Sequence, residues 1–184
     1  MSYNGFVVER RELMLNNDLV KSATQFAKLA HKGQQRKYSS EPYITHPLAV
    51  AKLVNEYTDD PEVISAAILH DVVEDCDITL EQIESMFGSR VAKIVAGVTK
   101  ITDGMDIQSS RKKHINNRHY ASQCADCQLV KAMDSLHNLS QLHQADDAFR
   151  ERFVREKKSL ASMLTLAPKQ AIIDLKVLCD MYDY

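Results

Sequence analysis

The chain has 184 residues, 45% of them hydrophobic, and a net charge of −2. A chain of this length buries roughly 70% of the surface its unfolded form exposes, so a single globular domain over 1–184 is expected to hold together without disulfides. No apolar run approaches the roughly 18 residues of a spanning helix, and the opening MSYNGFVVERRELM has no apolar leader core or small-residue cleavage site, which excludes membrane and secreted classes. Cysteines at 76, 124, 127 and 179 read as reduced thiols of a cytoplasmic protein.

Few Gly and Pro (5 and 4) leave little turn punctuation, which favours long helices over an all-β chain. Residues 59–87 carry a charge of −9 with no Lys or Arg, and 88–131 carry +5. Such a block is a solvated acidic face or a site that gathers cations. A pI near 6.4 without a long basic stripe removes the electrostatic footprint of nucleic-acid binding and makes that the weakest reading.

In chain order, Leu19, Val20, Ala23, Phe26, Ala27 and Ala30 recur at helical intervals and predict a helix over about 17–32, stopped by Gly33. The polar stretch from Gln34 through Tyr38 to Pro42 is a loop. Pro47 suits the first turn of a second helix, and Asp60-Pro61 opens a third with an N-cap and Pro at N1. From Val63 to Val73 this third helix is apolar on nearly all sides, which predicts a central position and puts His70 and Asp71 on a buried helix. Thr79 with Gln82 matches a capping box and Gly88 a C′ stop. Further helices are predicted over 89–101, 110–122 and 128–142, with a loop over 102–110, and two more after Asp146 split by Pro168. The expected fold is an all-α, single-domain bundle of roughly eight to ten helices, with residues 143–184 as packing helices.

The chemistry gathers in His70-Asp71, His46 before it and Asp134 after it. Two imidazoles and two carboxylates suit a divalent ion such as Mn²⁺, Fe²⁺ or Zn²⁺, and a cation would offset the several kcal/mol that burying each carboxylate costs. His70 and Glu74, and Asp71 and Asp75, are i,i+4, so these four side chains share one broad helix face. Glu74 can reach a water activated by the metal and is a natural proton-transfer group, with Asp75 orienting it or sharing the role. Isolated His114, His119, His137 and His143 read as surface or capping residues. Cys124-Ala125-Asp126-Cys127 is a single CxxC with no second pair and no preceding strand, so zinc or redox function is the minor reading. Met86, Phe87, Met163 and Tyr57 fall at core spacing.

The order His46, His70-Asp71, Asp134 has the H…HD…D pattern of the HD-domain metal-dependent phosphohydrolases. The segments AHKGQQRKYSSEPYITHPLAVA (30–51), AAILHDVVEDCDIT (66–79), FGSRVAKIVAGVTKIT (87–102) and VKAMDSLHNLSQL (130–142) resemble the alarmone hydrolase domain of the RelA/SpoT homologues over roughly 20–142. The resemblance implies hydrolysis of the 3′-diphosphate of guanosine tetra- and pentaphosphate to GDP or GTP plus pyrophosphate. It implies Mn²⁺ as the usual cofactor, His46, His70, Asp71 and Asp134 as ligands, Glu74 and Asp75 as the catalytic acidic pair, and Arg36 and Lys37 at base and phosphates. The Arg36 guanidinium can stack on a purine and Lys37 suits a diphosphate. Asn138, one turn after Asp134, is a candidate for a ribose or phosphate oxygen, and Lys100, Arg111 and Lys112 for further positive charge.

The resemblance departs at Gln141, where family members commonly carry a small hydroxyl residue, and it is loose over Gly104–Asp126. Two other readings therefore stand beside it: a related phosphohydrolase acting on the 2′-phosphate of NADPH or on an adenosine 3′-diphosphate analogue, and a non-catalytic nucleotide sensor. With the sequence ending at Tyr184 and no glycine-rich phosphate loop, the expectation is a stand-alone hydrolase without synthetase activity.

Overall fold

The structure, a computed structural model, describes residues 17–37 and 39–182. The opening MSYNGFVVERRELM and Tyr38 of the predicted loop lie outside the described residues. Among the described residues there are ten α-helices, a 3₁₀ turn and no strand, as expected of an all-α chain. The chain divides into two compact units. One takes in the described residues up to Arg36 and Glu41–Ala96; the other takes in Lys37–Ser40 and the described residues from Gly97 on.

In the first unit, α1 (Asp18–Ala30) begins where Asn17 accepts a hydrogen bond from the Leu19 N–H, and Asp18 and Lys28 sit at the ends the helix dipole favours. It buries Val20, Ala23 and Ala27. Gly33, at φ 84°, turns the chain out of the helix in a conformation open to glycine. α2 (Thr45–Val54) and α1 both pack on α3 (Pro61–Leu69). α3 starts as its sequence dictates, with the Asp60 carboxylate accepting from the Glu62 N–H and Pro61 in the first turn. Every residue from Val63 to Leu69 is buried, so α3 is the central helix the sequence predicts.

The predicted run to Val73 does not hold as one helix. α3 stops at Leu69, and His70 and Asp71 form a turn before the short α4 (Val72–Asp75). The His70 ring contacts the Ala67 carbonyl, Nδ1 to O 2.8 Å, the acceptor that a continuous helix would offer to the Asp71 N–H. Asp71 itself sits at φ −100° and ψ −7°, close to the bridge region where turn residues gather. Apolar patterning cannot register this break, because burial continues through Val72.

α5 (Leu80–Phe87) carries the complete capping box, with Thr79 N–H to Gln82 Oε1 at 2.8 Å and Gln82 N–H to Thr79 Oγ1 at 3.3 Å. Its Phe87 meets Phe26 of α1 edge to face, 5.4 Å between centroids. α6 (Ser89–Val98) follows. Arg90 binds Asp60 at 2.6 Å and Glu62 at 2.8 Å, so part of the acidic block is paired from the next basic segment. Burial raises the Asp60 carboxyl, but the hydrogen bond and charge of Arg90 outweigh it and hold the group below the usual carboxylate range.

In the second unit, α7 (Ser109–Ala121) and α8 (Ala125–Ser140) are followed by the 3₁₀ turn Leu142–Gln144, α9 (Asp147–Met163) and α10 (Lys169–Asp180). α8 and α10 pack together, and α9 packs on α7 and α10. α8 begins three residues earlier than the predicted 128 and ends at Ser140, two residues short of the predicted end. Gln128, with no exposed surface, gives Nε2 to the Ala121 and Gln123 carbonyls (2.9 and 3.0 Å) and takes the Leu166 N–H on Oε1 (2.8 Å). One amide therefore satisfies three backbone groups around the α8 start and the α9–α10 connection. Asn116 does the same for the 101–102 turn, accepting from the Ile101 N–H and donating to Thr102 Oγ1. No described helix is long and apolar enough to cross a membrane.

Candidate metal centre

The first unit brings four sequence-predicted residues together. His46 sits in the first turn of α2 and His70 caps α3; both are buried. Their rings meet at 71°, 5.2 Å between centroids. The Nε2 atoms of both point at one oxygen: Asp71 Oδ2 lies 3.0 Å from His70 and 3.5 Å from His46. A carbonyl only accepts, so the His70 contact with Ala67 places the ring proton on Nδ1 and leaves the Nε2 lone pair facing Asp71.

A carboxylate oxygen and an imidazole lone pair at this spacing repel unless a cation or proton lies between them. Nitrogen and oxygen donors in this mixture fit a borderline-to-hard divalent ion, so His46, His70 and Asp71 could hold a metal.

The helix break re-aims the acidic residues. Asp75 N–H still closes a helical bond to the Asp71 carbonyl at 2.9 Å, which stacks the two carboxylates on one side. The Tyr43 hydroxyl reaches both, 2.6 Å from Asp71 Oδ2 and 2.9 Å from Asp75 Oδ2. Burial and then the adjacent Asp71 charge push the Tyr43 hydroxyl far above the usual phenol range, so it remains a donor. It has one proton to give, and the shorter contact directs it to Asp71. A proton taken up on Asp75 Oδ2 would then find the phenol oxygen as an acceptor.

Tyr43 was missed by sequence reasoning. The signal was its place two residues before the Thr45-His46 helix start, just past the Gln34–Pro42 stretch that reads as loop. That stretch is ordered by a lone antiparallel bridge between Gln35 and Pro42, with Arg36 N–H to Glu41 O at 3.0 Å and Tyr43 N–H to Gln34 O at 2.9 Å. Gln34 was missed as well. Its Nε2 donates to the Asp75 carbonyl at 2.8 Å, while its Oε1 takes His31 Nδ1 at 2.8 Å. The loop is thereby tied to the end of α4 at Asp75.

The Arg36 guanidinium lies 5.5 Å from the Tyr43 ring centroid, a cation–π distance. Glu74 is half-buried on α4.

The other sequence-predicted residues belong to the second unit. Asp134 is buried on α8, and both of its oxygens are engaged: Lys131 Nζ at 2.9 Å on Oδ2 and Asn138 Nδ2 at 2.6 Å on Oδ1. One N–H of the Asn138 amide thus orients Asp134, a use that its one-turn spacing allows. Lys131 was missed because it falls within the apolar face of α8; its ammonium is held 4.4 Å over the Tyr120 ring. Lys37 Nζ stands 5.3 Å over the Phe149 ring. Lys100 is exposed just past α6, and Arg111 and Lys112 lie in the first turn of α7. Arg111 lines a shallow groove with Ile101, His114, Arg118 and His119.

A family model described as "HD domain" matches residues 23–169, most of the chain and parts of both units. A probable guanosine-3′,5′-bis(diphosphate) 3′-pyrophosphohydrolase of Synechocystis is 40% identical over 135 residues, 71% of this chain and 18% of that protein. The corresponding protein of Vibrio cholerae is 36% identical over 154 residues, 82% of this chain and 21% of that one. The chain thus spans about a fifth of these relatives. The pyrophosphohydrolase MESH1 of Danio rerio is 39% identical over 122 residues, 65% of this chain and 66% of that protein. A solved structure described as a metazoan ortholog of SpoT that hydrolyses ppGpp superposes with a TM-score of 0.82 at 25% identity, covering 91% of this chain and 97% of that one. On the family match, this chain belongs to the HD domain family.

Proposed function

We propose that this protein is a metal-dependent hydrolase that removes the 3′-diphosphate of guanosine 3′,5′-bis(diphosphate), releasing pyrophosphate and leaving GDP, or GTP from the pentaphosphate. The observation that carries the reading is the convergence of His46 Nε2 and His70 Nε2 on Asp71 Oδ2 beside a second carboxylate, Asp75, on the same tyrosine. The names of the pyrophosphohydrolase relatives support the substrate. A single family match across 23–169 supports treating both units as one HD-type domain.

His46, His70, Asp71 and Asp134 would hold the ion, for which Mn²⁺ is the candidate. The ion would supply charge neutralisation at the diphosphate and make water more acidic. Asp134 suits this role because Lys131 and Asn138 fix the orientation of its carboxylate. Glu74 takes the proton of the attacking water, and Asp75 shares it, with the Tyr43 oxygen as the acceptor for a proton on Asp75 Oδ2. Tyr43 keeps Asp71 in the rotamer that faces both imidazoles. Arg36 and Lys37 offset substrate charge, with Lys100, Arg111 and Lys112 as outer cations. No serine or cysteine nucleophile is needed. The setting is the cytoplasm, the partner a small nucleotide, and neither nucleic acid nor membrane takes part.

The test is pyrophosphate release from guanosine tetraphosphate with Mn²⁺, against an EDTA control, with NADPH and the adenosine analogue in parallel. Metal-dependent release from the guanosine substrate is expected. Turnover of NADPH or the adenosine analogue alone would replace the substrate and keep the acid–base assignment, and Gln141 would be the first residue to exchange. Binding of all three without turnover would make the protein a sensor.

A further inference from the structure

The second unit holds a pair of neighbouring thiols that hydrolysis does not use. Cys124 is the N-cap of α8, exposed, and its side chain makes no capping hydrogen bond. Cys127, one turn along, is buried. Both are free, with Sγ atoms 3.3 Å apart, so a disulfide of about 2.05 Å needs a closure of only about 1.2 Å.

Packing decides which sulfur moves. A Cβ added to Gly97 would stand 2.6 Å from Cys127 Sγ and 3.3 Å from its Cβ. The buried sulfur therefore rests against helix backbone at a place that only glycine leaves open, while the exposed one is free to approach it. Burial, and then the neighbouring Cys124, push the Cys127 thiol up to about 12, so it stays protonated until a reaction at its neighbour draws it in. Among the described residues no further His, Cys, Asp or Glu joins the pair in a ligand cluster, whereas a structural zinc takes four ligands. What remains is thiol chemistry between the two.

We propose that Cys124 and Cys127 are a reversible dithiol/disulfide pair, with Cys124 the attacking and Cys127 the resolving cysteine, and a small-molecule disulfide as co-reactant. The Cys124 thiolate attacks one sulfur of the co-reactant, breaking its S–S bond, forming a mixed disulfide and releasing one thiol. Cys127 sulfur then attacks Cys124 Sγ and displaces the second thiol, which takes up the Cys127 proton. Two protein thiols are oxidised and one small disulfide is reduced to two thiols. The bond ties the cap of α8 to its first turn, on the helix that carries Lys131 and Asp134.

The test incubates the full chain with oxidised glutathione, alkylates the remaining thiols and maps peptides by mass spectrometry. The wild-type protein is expected to lose two of its four alkylatable thiols, retain no glutathione, show a 124–127 crosslink and recover both thiols with dithiothreitol. Cys127→Ser should stop with glutathione held on Cys124, and Cys124→Ser should give no product at either position. Wild-type protein that keeps glutathione on Cys124, or leaves Cys124 unmodified, overturns the proposal. The wild-type result decides this even where a variant fails to fold.

Discussion

Two regions of the molecule bury polar side chains, and they do so in opposite ways. Around Gln128 every polar atom meets a complement: two carbonyls face its amide nitrogen and one N–H its oxygen. Around Asp71 two imidazole nitrogens converge on one carboxylate oxygen, an assembly rich in acceptors. The first arrangement closes on itself and stabilises the fold; the second asks for positive charge from outside the chain. A buried polar cluster therefore reads as structural or chemical by the balance of donors and acceptors within it.

Exchanges at the two regions should separate these roles. Asp71→Ala is expected to abolish metal retention and drop turnover to background, read by metal content and pyrophosphate release. A variant that kept both would remove Asp71 from the ligand set. Glu74→Ala should keep the metal while kcat falls on the order of 10²–10⁴-fold; an unchanged rate would sink the proton-transfer role. Gln128→Leu should act in the reverse sense. Three backbone groups lose their partner, unfolding free energy falls by about 3 kcal/mol in a denaturant titration, and the metal content of the folded protein stays the same.

Smaller effects sharpen the contrast further. Tyr43→Phe removes one hydroxyl and should lower kcat roughly 10-fold while the metal is kept, since it acts on the Asp71 rotamer and on Asp75. An unaltered kcat with an unaltered pH profile would demote Tyr43 to packing. The mildest case is Glu156. Burial raises its carboxyl, but Lys157 and Lys113, at 3.1 and 2.7 Å, outweigh burial and hold it below its ordinary 4.5. A depressed folded value means that its contribution to stability is complete above the unfolded value and is lost as pH falls through the lower folded one. Acid titration of Glu156→Gln should show a flatter loss in that window than wild type, and superimposable curves would refute the linkage.

Much of the candidate site was legible because its residues are unusual where they stand. A His-Asp pair inside an apolar run and carboxylates at i,i+4 have few structural uses, and the Asp60-Pro61 and Thr79/Gln82 starts obey local rules that hold in any context. The break between α3 and α4 was hidden because burial continues through Val72 while the backbone turns. Tyr43 and Gln34 were hidden because their partners lie 28 to 41 residues away in sequence, beyond the reach of periodicity. Lys131 was hidden because a lysine on an apolar face reads as an interruption until Asp134 and Tyr120 are seen beside it.

The alanines of α1 and α3 carry one more consequence. Ala23, Ala27, Ala66 and Ala67 have no exposed surface, and the two helices that hold them pack together. Small side chains let helix axes run close, and each added methylene in such a seam wedges them apart. His70 rides on the end of α3, so where its nitrogen comes to rest depends on residues with no chemistry of their own. Anyone altering the selectivity of this centre has a second dial there: side-chain volume between helices, adjusted without touching a single polar atom.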